Sequence, residues 1–480
     1  MAGLITDLTQ GSQSLEAQQL GLQITSNNLS NVNNPNYATQ RVELGSTGEL
    51  DEAAGQVSMG VEVSGITQSR NSYLDAQVAQ EISQTSALQS QVTQLTQAQS
   101  YLGEQVNSST STSSITDSSS STSGISSAMN TFFNSFSNLA TTPTDAGAQQ
   151  TVIQSAGTLV STINTTYSQL QGLQGDINTQ INQDVGSANG LLQSIATLNG
   201  QIAQYNAQNP GSTPNDLNDQ REGDIEQLAQ YMNFTTSTIP NSNGQLKLTA
   251  LDPSSNPVTL VSGTEVEGNG IAFTGTGFTA GTPTTALALT GGSLAGNLAA
   301  STGGVQTLIN NLTTTASQLT SAVNGAYNPT GTGNNFFAST PASGSLLTID
   351  PTLSASTLKT TNTANAGANE LALAVANVQT QQFSTAGGDQ INGTMPDYYS
   401  GAVTGIGESI NGAQSQLTDQ TAVQTMVESQ RSSVSGVNQD DELTNLMTYQ
   451  SAFHAQAQVM NTVNNLLDVI CNGLFGTPLS

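Results

Sequence analysis

This chain is poor in the residues from which active sites are built. Its 480 residues include one histidine, His454, one cysteine, Cys471, and two lysines, Lys247 and Lys359. A single histidine excludes an HExxH zinc site and any centre needing two imidazoles. A single cysteine excludes an intramolecular disulfide. Neither lysine stands in a GxxxxGK[ST] phosphate loop, and the glycines of GTGFTAGTP do not fit GxGxxG. Charge is scarce and one-sided: 8% of residues are charged, 33 acidic against 6 basic, for a formal charge of -27. Such a chain repels nucleic acid and anionic membrane surfaces, both of which need clustered Lys and Arg. No run approaches the roughly 20 apolar residues of a membrane span. The N-terminal MAGLITDLTQ has no basic n-region, no continuous apolar core and no small-residue cleavage site. The expectation is a protein that stays in the cytoplasm or leaves the cell without a cleaved signal. No spacing among the acids selects a catalytic pair, and neither a cofactor nor a metal is expected.

What is present is a neutral polar surface of Ser, Thr, Asn, Gln and Gly, and two sets of heptads. Leu8, Leu15, Leu22 and Leu29 recur every seventh residue, as do Leu446, Phe453, Met460 and Leu467, beside a second row of Tyr449, Val463 and Ile470. A seven-residue repeat keeps one seam of a helix against a partner. The termini are therefore expected to come back together. The stripes are thin: the row beside the leucines reads Ile5, Ser12, Gln19, Ser26, Gln456 breaks the C-terminal row, and Gly11 and Gly21 interrupt the first helix. Each glycine weakens a helix by roughly 1 kcal/mol against alanine. Two readings follow: ends that become ordered only when neighbouring copies pack on them, or an ordinary intramolecular helix pair. His454 and Cys471 lie in the C-terminal heptads. They read as a helix-surface or interface histidine and a small buried apolar side chain. Asp440, Asp441 and Glu442 follow Asn438 and open a helix. Acids there complement the helix dipole, with Asn438 as N-cap.

Between the ends the pattern is nested. Helix is expected over 1–34, ending at Pro35, followed by an extended ribbon with Val57, Met59, Val61 and Val63 in alternation. A helix over about 68–107 leads to a Ser/Thr-rich linker, then an aromatic helix with Met129, Phe132, Phe133, Phe136 and Leu139, closed by TTPTD (141–145). A helix of rod length is expected over about 148–208, and another from about 214. Period-two patterning then takes over, with Leu246, Leu248 and Ala250 after an Asn243-Gly244 turn. Helix is expected to return over 293–326, a short β segment over 346–362, and helices again from about 366 to 432. The fold class expected is mainly α with an inserted β part: an elongated subunit with paired, coiled-coil-like terminal helices, a long helical rod and a small antiparallel β domain. The segments are 1–65, 66–235, 236–290, 291–432 (with loop and short β at 325–365) and 433–480. The β segment reads as a separate, replaceable insert.

Both ends of the chain and several interior stretches carry a resemblance. TSNNLSNVNNPNYATQR (25–41) resembles the N-terminal signature of bacterial flagellar axial proteins through Asn27, Asn28, Asn31, Val32, Pro35 and Tyr37. It departs in Asn34 for the usual Thr, in Asn36 for the usual Gly, and in Arg41, a basic residue later than usual. Asn tolerates the left-handed conformation better than most residues. SGVNQDDELTNLMTYQSAFHAQAQVMNTVNNLLDVI (435–470) resembles the C-terminal signature of the same family. In the interior, NDLNDQREGDIEQLAQYMN, GISSAMNTFFNSFSNLATTPTD and GGSLAGNLAA with NNFF are similar to segments of its hook-associated members. A second, outer β domain is expected to be missing, since little lies between Phe337 and Ala366.

The resemblance implies a non-enzymatic assembly protein that joins hook to filament. It implies a homo-oligomeric ring contacting hook protein and a second junction protein, export through the flagellar apparatus with a chaperone, and an extracellular place in the flagellum. It implies an assembly interface at Leu8, Leu15, Leu22, Leu29, Asn27, Asn28, Asn31, Pro35, Tyr37, Asn438, Leu446, Phe453, Met460 and Leu467. Sparse charge suits a pore through which unfolded chains pass. The alternatives are another axial protein, hook or second junction protein, or a secreted β-rich adhesin with helical stalks.

Overall fold

The computed structural model describes residues 2–46, 49–52, 55–58, 60–104, 124–362 and 367–475. The first helix, α1 (Ala2–Ser30), is continuous through Gly11 and Gly21. It gives way to a turn around Pro35 and then to an antiparallel ribbon. In the ribbon β1 (Gln40–Ser46) pairs with β4 (Val61–Gln68), and β2 (Glu49–Glu52) with β3 (Gly55–Ser58). The ribbon lies along α1, so close that a Cβ on Gly60 would stand 2.7 Å from Gln10 Cγ. Met59, expected in the alternation, lies outside the described residues, as does most of the Ser/Thr linker.

Helix α2 (Ser72–Tyr101) starts where Asn71 accepts hydrogen bonds from the amides of Tyr73 and Leu74. Helix α3 (Ile125–Thr141) carries the expected aromatic face, with Phe132, Phe133 and Phe136 fully buried. Asp145 then caps α4 (Ala146–Gln208), accepting from Gly147 N at 2.6 Å. The 63 residues of α4 make a rod about 95 Å long. Both major cores are strung along it. Val152, Leu159 and Ile163 join the aromatics of α3 and the Phe336-Phe337 pair. Leu170, Ile181, Leu192 and Ile195 join α2, α5 (Asn215–Tyr231) and the β segment.

That second core alters one expectation. Strands β5 (Thr235–Thr238), β6 (Leu246–Leu251), β7 (Pro257–Ser262) and β8 (Glu265–Val266) form a four-stranded antiparallel sheet. A smaller sheet holds β9 (Ala272–Phe273), β10 (Phe278–Ala280) and β11 (Thr285–Leu287). The alternation of Leu248 and Ala250 is present, but it faces the rod. Leu248, Ala250, Leu260, Val261, Ile271 and Phe278 are buried in one cluster with Ile195, Leu228 and Leu294. The β segment shares the rod's core and is not a separate insert.

The chain returns through α6 (Gly292–Ala299), a π-helical stretch over Ala300–Val305, and α7 (Gln306–Tyr327), in one unbroken helical run. Gly304, inside the π-helical stretch, abuts the Leu95 side chain, and a Cβ there would also stand 3.5 Å from Ile406. Its missing side chain lets the returning helix approach closely. The β segment expected over 346–362 reduces to one bridge, Phe337 to Ile349. The helices expected over 366–432 are α8 (Glu370–Asn377) and α9 (Met395–Ser435), with a gap between them. The glycines and Pro396 of GGDQINGTMP explain the gap, since Pro suits a first helical turn and not an interior. The last helix, α10 (Gln439–Phe475), runs back along α1.

Candidate assembly surface at the paired chain ends

Helix α1 is covered on two sides, by α10 and by the ribbon. Its buried strip is Gly11, Ala17, Gly21, Ile24, Thr25 and Asn28. Leu8, Leu15, Leu22 and Leu29 are half-buried and flank that strip, so the leucine row is the border of the intramolecular seam and not its centre. The centre belongs to the two glycines. Gly11 faces the Met460 thioether, and a Cβ on Gly21 would stand 2.6 Å from Tyr449 Cε1. Both glycines act as notches for side chains of α10, which corrects their reading as interruptions. Small residues at a crossing let backbones approach and large ones interdigitate.

On α10 the expected rows are present. Leu446, Phe453, Met460 and Leu467, with Tyr449, Val463 and Ile470, are all half-buried. Sequence reasoning missed the opposite face, where Leu443, Met447, Val459, Leu466 and Val469 are exposed, Val469 at 70%. Their i, i+3, i+4 and i+7 spacings were available as a signal, but the stronger heptads beside them dominate the pattern. With Met426 and Val434 exposed on α9, the end of the molecule carries apolar surface that one chain does not cover. His454 is exposed, 6.3 Å from the Phe453 ring, as a helix-surface residue. The side chain of Cys471 lies outside the described residues.

The signature asparagines do different work from one another. Asn28 is 1% exposed: its amide donates to Gln40 O at 2.8 Å, and its Oδ1 accepts from Tyr37 Oη at 2.8 Å and Gln40 N at 3.1 Å. It locks the turn after α1 to the start of the ribbon. Asn31 bonds back to Asn27 O at 3.0 Å, and both Asn27 and Pro35 are on the surface. Asn36 stays out of the left-handed region, so its tolerance of that conformation is not used. Its carbonyl instead accepts from Arg70 Nη2 at 2.8 Å. Asn438 caps α10, its Oδ1 accepting from Asp440 N at 3.1 Å. Thr39 N donates to Ser435 O at 2.9 Å, stitching the two chain ends together.

Below this joint lies a buried ion cluster that sequence reasoning did not find. Arg70 meets Asp219 at 2.6 Å, Asp75 at 3.3 Å and Glu222 at 3.9 Å, while Arg431 pairs with Glu226 and reaches Asp75 at 3.9 Å. Arg431 Nη2 also donates to Pro35 O at 3.4 Å. Burial raises Asp75, Asp219 and Glu226 above the ordinary carboxylate range, against the pull of the two guanidinium groups. Burial, with the Asp75 charge adding to it, pushes Glu222 up to about 7. Burial likewise raises the Tyr37 hydroxyl well above its usual value. Scarcity was the available signal: the chain has four arginines, and Arg70, Arg221 and Arg431 all turn inward. The cluster ties α2, α5 and α9 to the turn after α1 at fixed angles. Among the described residues no group of three or more His, Cys, Asp or Glu could hold a metal ion. Among them no helix is long and apolar enough to cross a membrane.

The family model described as "Flagellar hook-associated protein FlgK helical domain" matches residues 113–337. A second, "Flagellar basal body rod FlgEFG protein C-terminal", matches 428–472, the end of α9 and most of α10. Flagellar hook-associated protein 1 of Bacillus subtilis (strain 168) is 25% identical over 522 aligned positions, covering 99% of both chains. The proteins of that name from Escherichia coli (strain K12) and Salmonella typhimurium are 29% and 27% identical over 49% and 55% of this chain. Those alignments cover only 40% and 43% of the two relatives, which are longer. The hook junction protein FlgK of Burkholderia pseudomallei, a solved structure, aligns with 55% of this chain and 46% of its own at 25% identity and a TM-score of 0.45. One relative is similar from end to end and the two family segments are matched in order, so the chain is similar along its length to flagellar hook-associated proteins of the FlgK type.

Proposed function

We propose that this protein is a structural adaptor at the bacterial flagellar hook–filament junction, assembling on the hook as a helical ring on which the filament is built. The observation that carries this reading is the pairing of α1 with α10 through the Gly11 and Gly21 notches, with apolar rows left over on the outside. One copy satisfies the seam, and neighbouring copies supply cover for Leu443, Met447, Leu466 and Val469. A ring of identical subunits provides such cover with one repeated contact. The candidate interface includes the flanking leucines Leu8, Leu15, Leu22 and Leu29, with Phe453 and Leu467 reached from the side.

On this reading the protein is not an enzyme and binds neither nucleic acid nor membrane. Its partners are its own copies, hook protein, a second junction protein, an export chaperone and the export apparatus, and it works outside the cell. The segments 1–65 and 433–480 form the inner tube, 66–235 and 291–432 the rod, and 236–290 the β part built onto that rod. A second reading, another axial protein such as hook protein, has one observation in its favour: residues 428–472 match the C-terminal segment of rod proteins. Immunogold labelling of isolated flagella separates the two. Label confined to the hook–filament boundary supports the junction, and label along the whole hook supports the alternative.

A further inference from the structure

A groove of about 1720 Å3 runs between the N-terminal half of α2 and the four-stranded sheet. All four residues of β5, Thr235 to Thr238, line it. The groove also reaches Leu246 and Thr249 to Leu251 of β6, so it covers the β5 side of the sheet, where β5 is the edge strand. β5 pairs with β6, and among the described residues no strand pairs with its other side. An open edge presents N–H and C=O groups that template another strand.

The remaining walls match that chemistry. Gln77, Gln80, Gln84 and Gln91 of α2 line the groove. Their side chains are uncharged amides that donate and accept, as a peptide backbone does. Ser83, also in the lining, is 1% exposed and its hydroxyl has no partner. A buried hydroxyl left without a hydrogen bond is unfavourable unless something fills its site. Arg221 adds a charge requirement. Its guanidinium donates to Asn199 Oδ1 at 2.9 Å, Gly244 O at 2.9 Å and Asn218 Oδ1 at 3.1 Å, neutral acceptors all, and the one carboxyl acting on it is Glu222, whose pKa burial pushes up to about 7. Arg70 and Arg431, by contrast, hold carboxylates. Gly244 belongs to the turn joining β5 to β6, which sets the Arg221 guanidinium near the Thr238 end of the edge. A partly desolvated guanidinium is best satisfied by a carboxylate. The volume exceeds the roughly 300–1,000 Å3 of small-molecule pockets, and a four-residue strand spans about 13 Å.

We propose that this groove takes an extended segment of a partner polypeptide, added as a strand to the free edge of β5, with an acidic side chain directed to Arg221. This does not rest on the junction reading. The test uses the purified full chain and four fluorescein-labelled octapeptides of alternating threonine and valine, each with glutamate at a different central position. Glutamine counterparts serve as controls. At least one glutamate peptide is expected to bind at least tenfold more tightly than its glutamine counterpart, and to slow amide hydrogen exchange at 235–238. Gln80→Glu, at an exposed position of α2, is expected to weaken that peptide at least tenfold while leaving the circular dichroism spectrum unchanged. Absence of binding at millimolar peptide, equal binding of each glutamate and glutamine pair, or binding without protection at 235–238 would overturn the proposal.

Discussion

Tyr449 of α10 lies flat against the bare backbone of Gly21 in α1, where a Cβ would stand 2.6 Å from ring atom Cε1 and 2.8 Å from Cδ1 and Cζ. The glycine's value is in the space it leaves. It costs the helix about 1 kcal/mol of intrinsic stability, which the contact between helices offsets.

Gly21→Ala is therefore expected to loosen the pair although it raises the helix propensity of α1. The Tyr449 ring is rigid and must move as a unit. Gly11→Ala meets the flexible end of Met460 and is expected to be tolerated. Hydrogen exchange over residues 2–30 and 439–470 distinguishes them: faster in Gly21→Ala, unchanged or slower in Gly11→Ala. Equal behaviour of both variants would remove the notch from the account.

The half-buried row of α10 makes a separate prediction. Phe453→Asp and Leu467→Asp are expected to block incorporation into the assembled structure while the rod stays folded. Each loses about 2 kcal/mol or more of apolar burial in the assembly. Motility and the thermal unfolding of the purified variants are the paired readouts. Normal motility with both substitutions contradicts the interface.

The ion cluster predicts an effect of pH with a definite sign. The folded-state pKa of Glu222 is raised to about 7 from 4.5. Its contribution is fully present below the unfolded pKa and is lost as pH rises through about 7. Asp75, Asp219 and Glu226 shift in the same direction and add to the loss. Urea midpoints are expected to fall between pH 5 and pH 8, more steeply than in Glu222→Gln. That variant should be the more stable one at pH 8, by at most about 3 kcal/mol. Parallel pH profiles would show that Glu222 titrates normally.

Arg431→Met is expected to destabilise the joint by about 3 kcal/mol or more, because it leaves Glu226 buried without its cation, while Asp75 keeps Arg70. Lowering the pH should restore part of the loss as Glu226 takes up a proton. A loss independent of pH would point to packing alone.

The shared core reverses what the alternating pattern implied about the β segment. Replacing 236–290 by a linker exposes Ile195, Leu228 and Leu294 of the rod, which share a core with Leu248 and Leu260. Leu248→Ala alone is expected to cost about 2–5 kcal/mol. A circular dichroism melt of the full chain measures it, and an unchanged melting temperature would restore the view of the segment as independent.

The pattern of legibility has a physical basis. Long helices were readable because α4 keeps a 3.6-residue apolar row from Val152 to Ile202, and a cap such as Asn438 announces a helix start. The pairing of α1 with α10 was readable from heptads. Which residues sit at the centre of their crossing was not. Gly11 and Gly21 carry no apolar signal, and their role exists only once Met460 and Tyr449 are opposite. The ion cluster was hidden for the same reason: Arg70, Asp219 and Arg431 are far apart in sequence, and no local period relates them. The β segment shows the converse. Its alternation correctly marks a one-sided sheet, but a period of two does not say what the buried side faces.

The central claim is that the paired ends build a junction between hook and filament. It is tested most directly by electron microscopy of cells from which this chain has been deleted, and of the same cells producing the Phe453→Asp form. The account predicts hooks of normal length without filaments in both, with filament subunits recovered from the medium. Full-length filaments on either would contradict it.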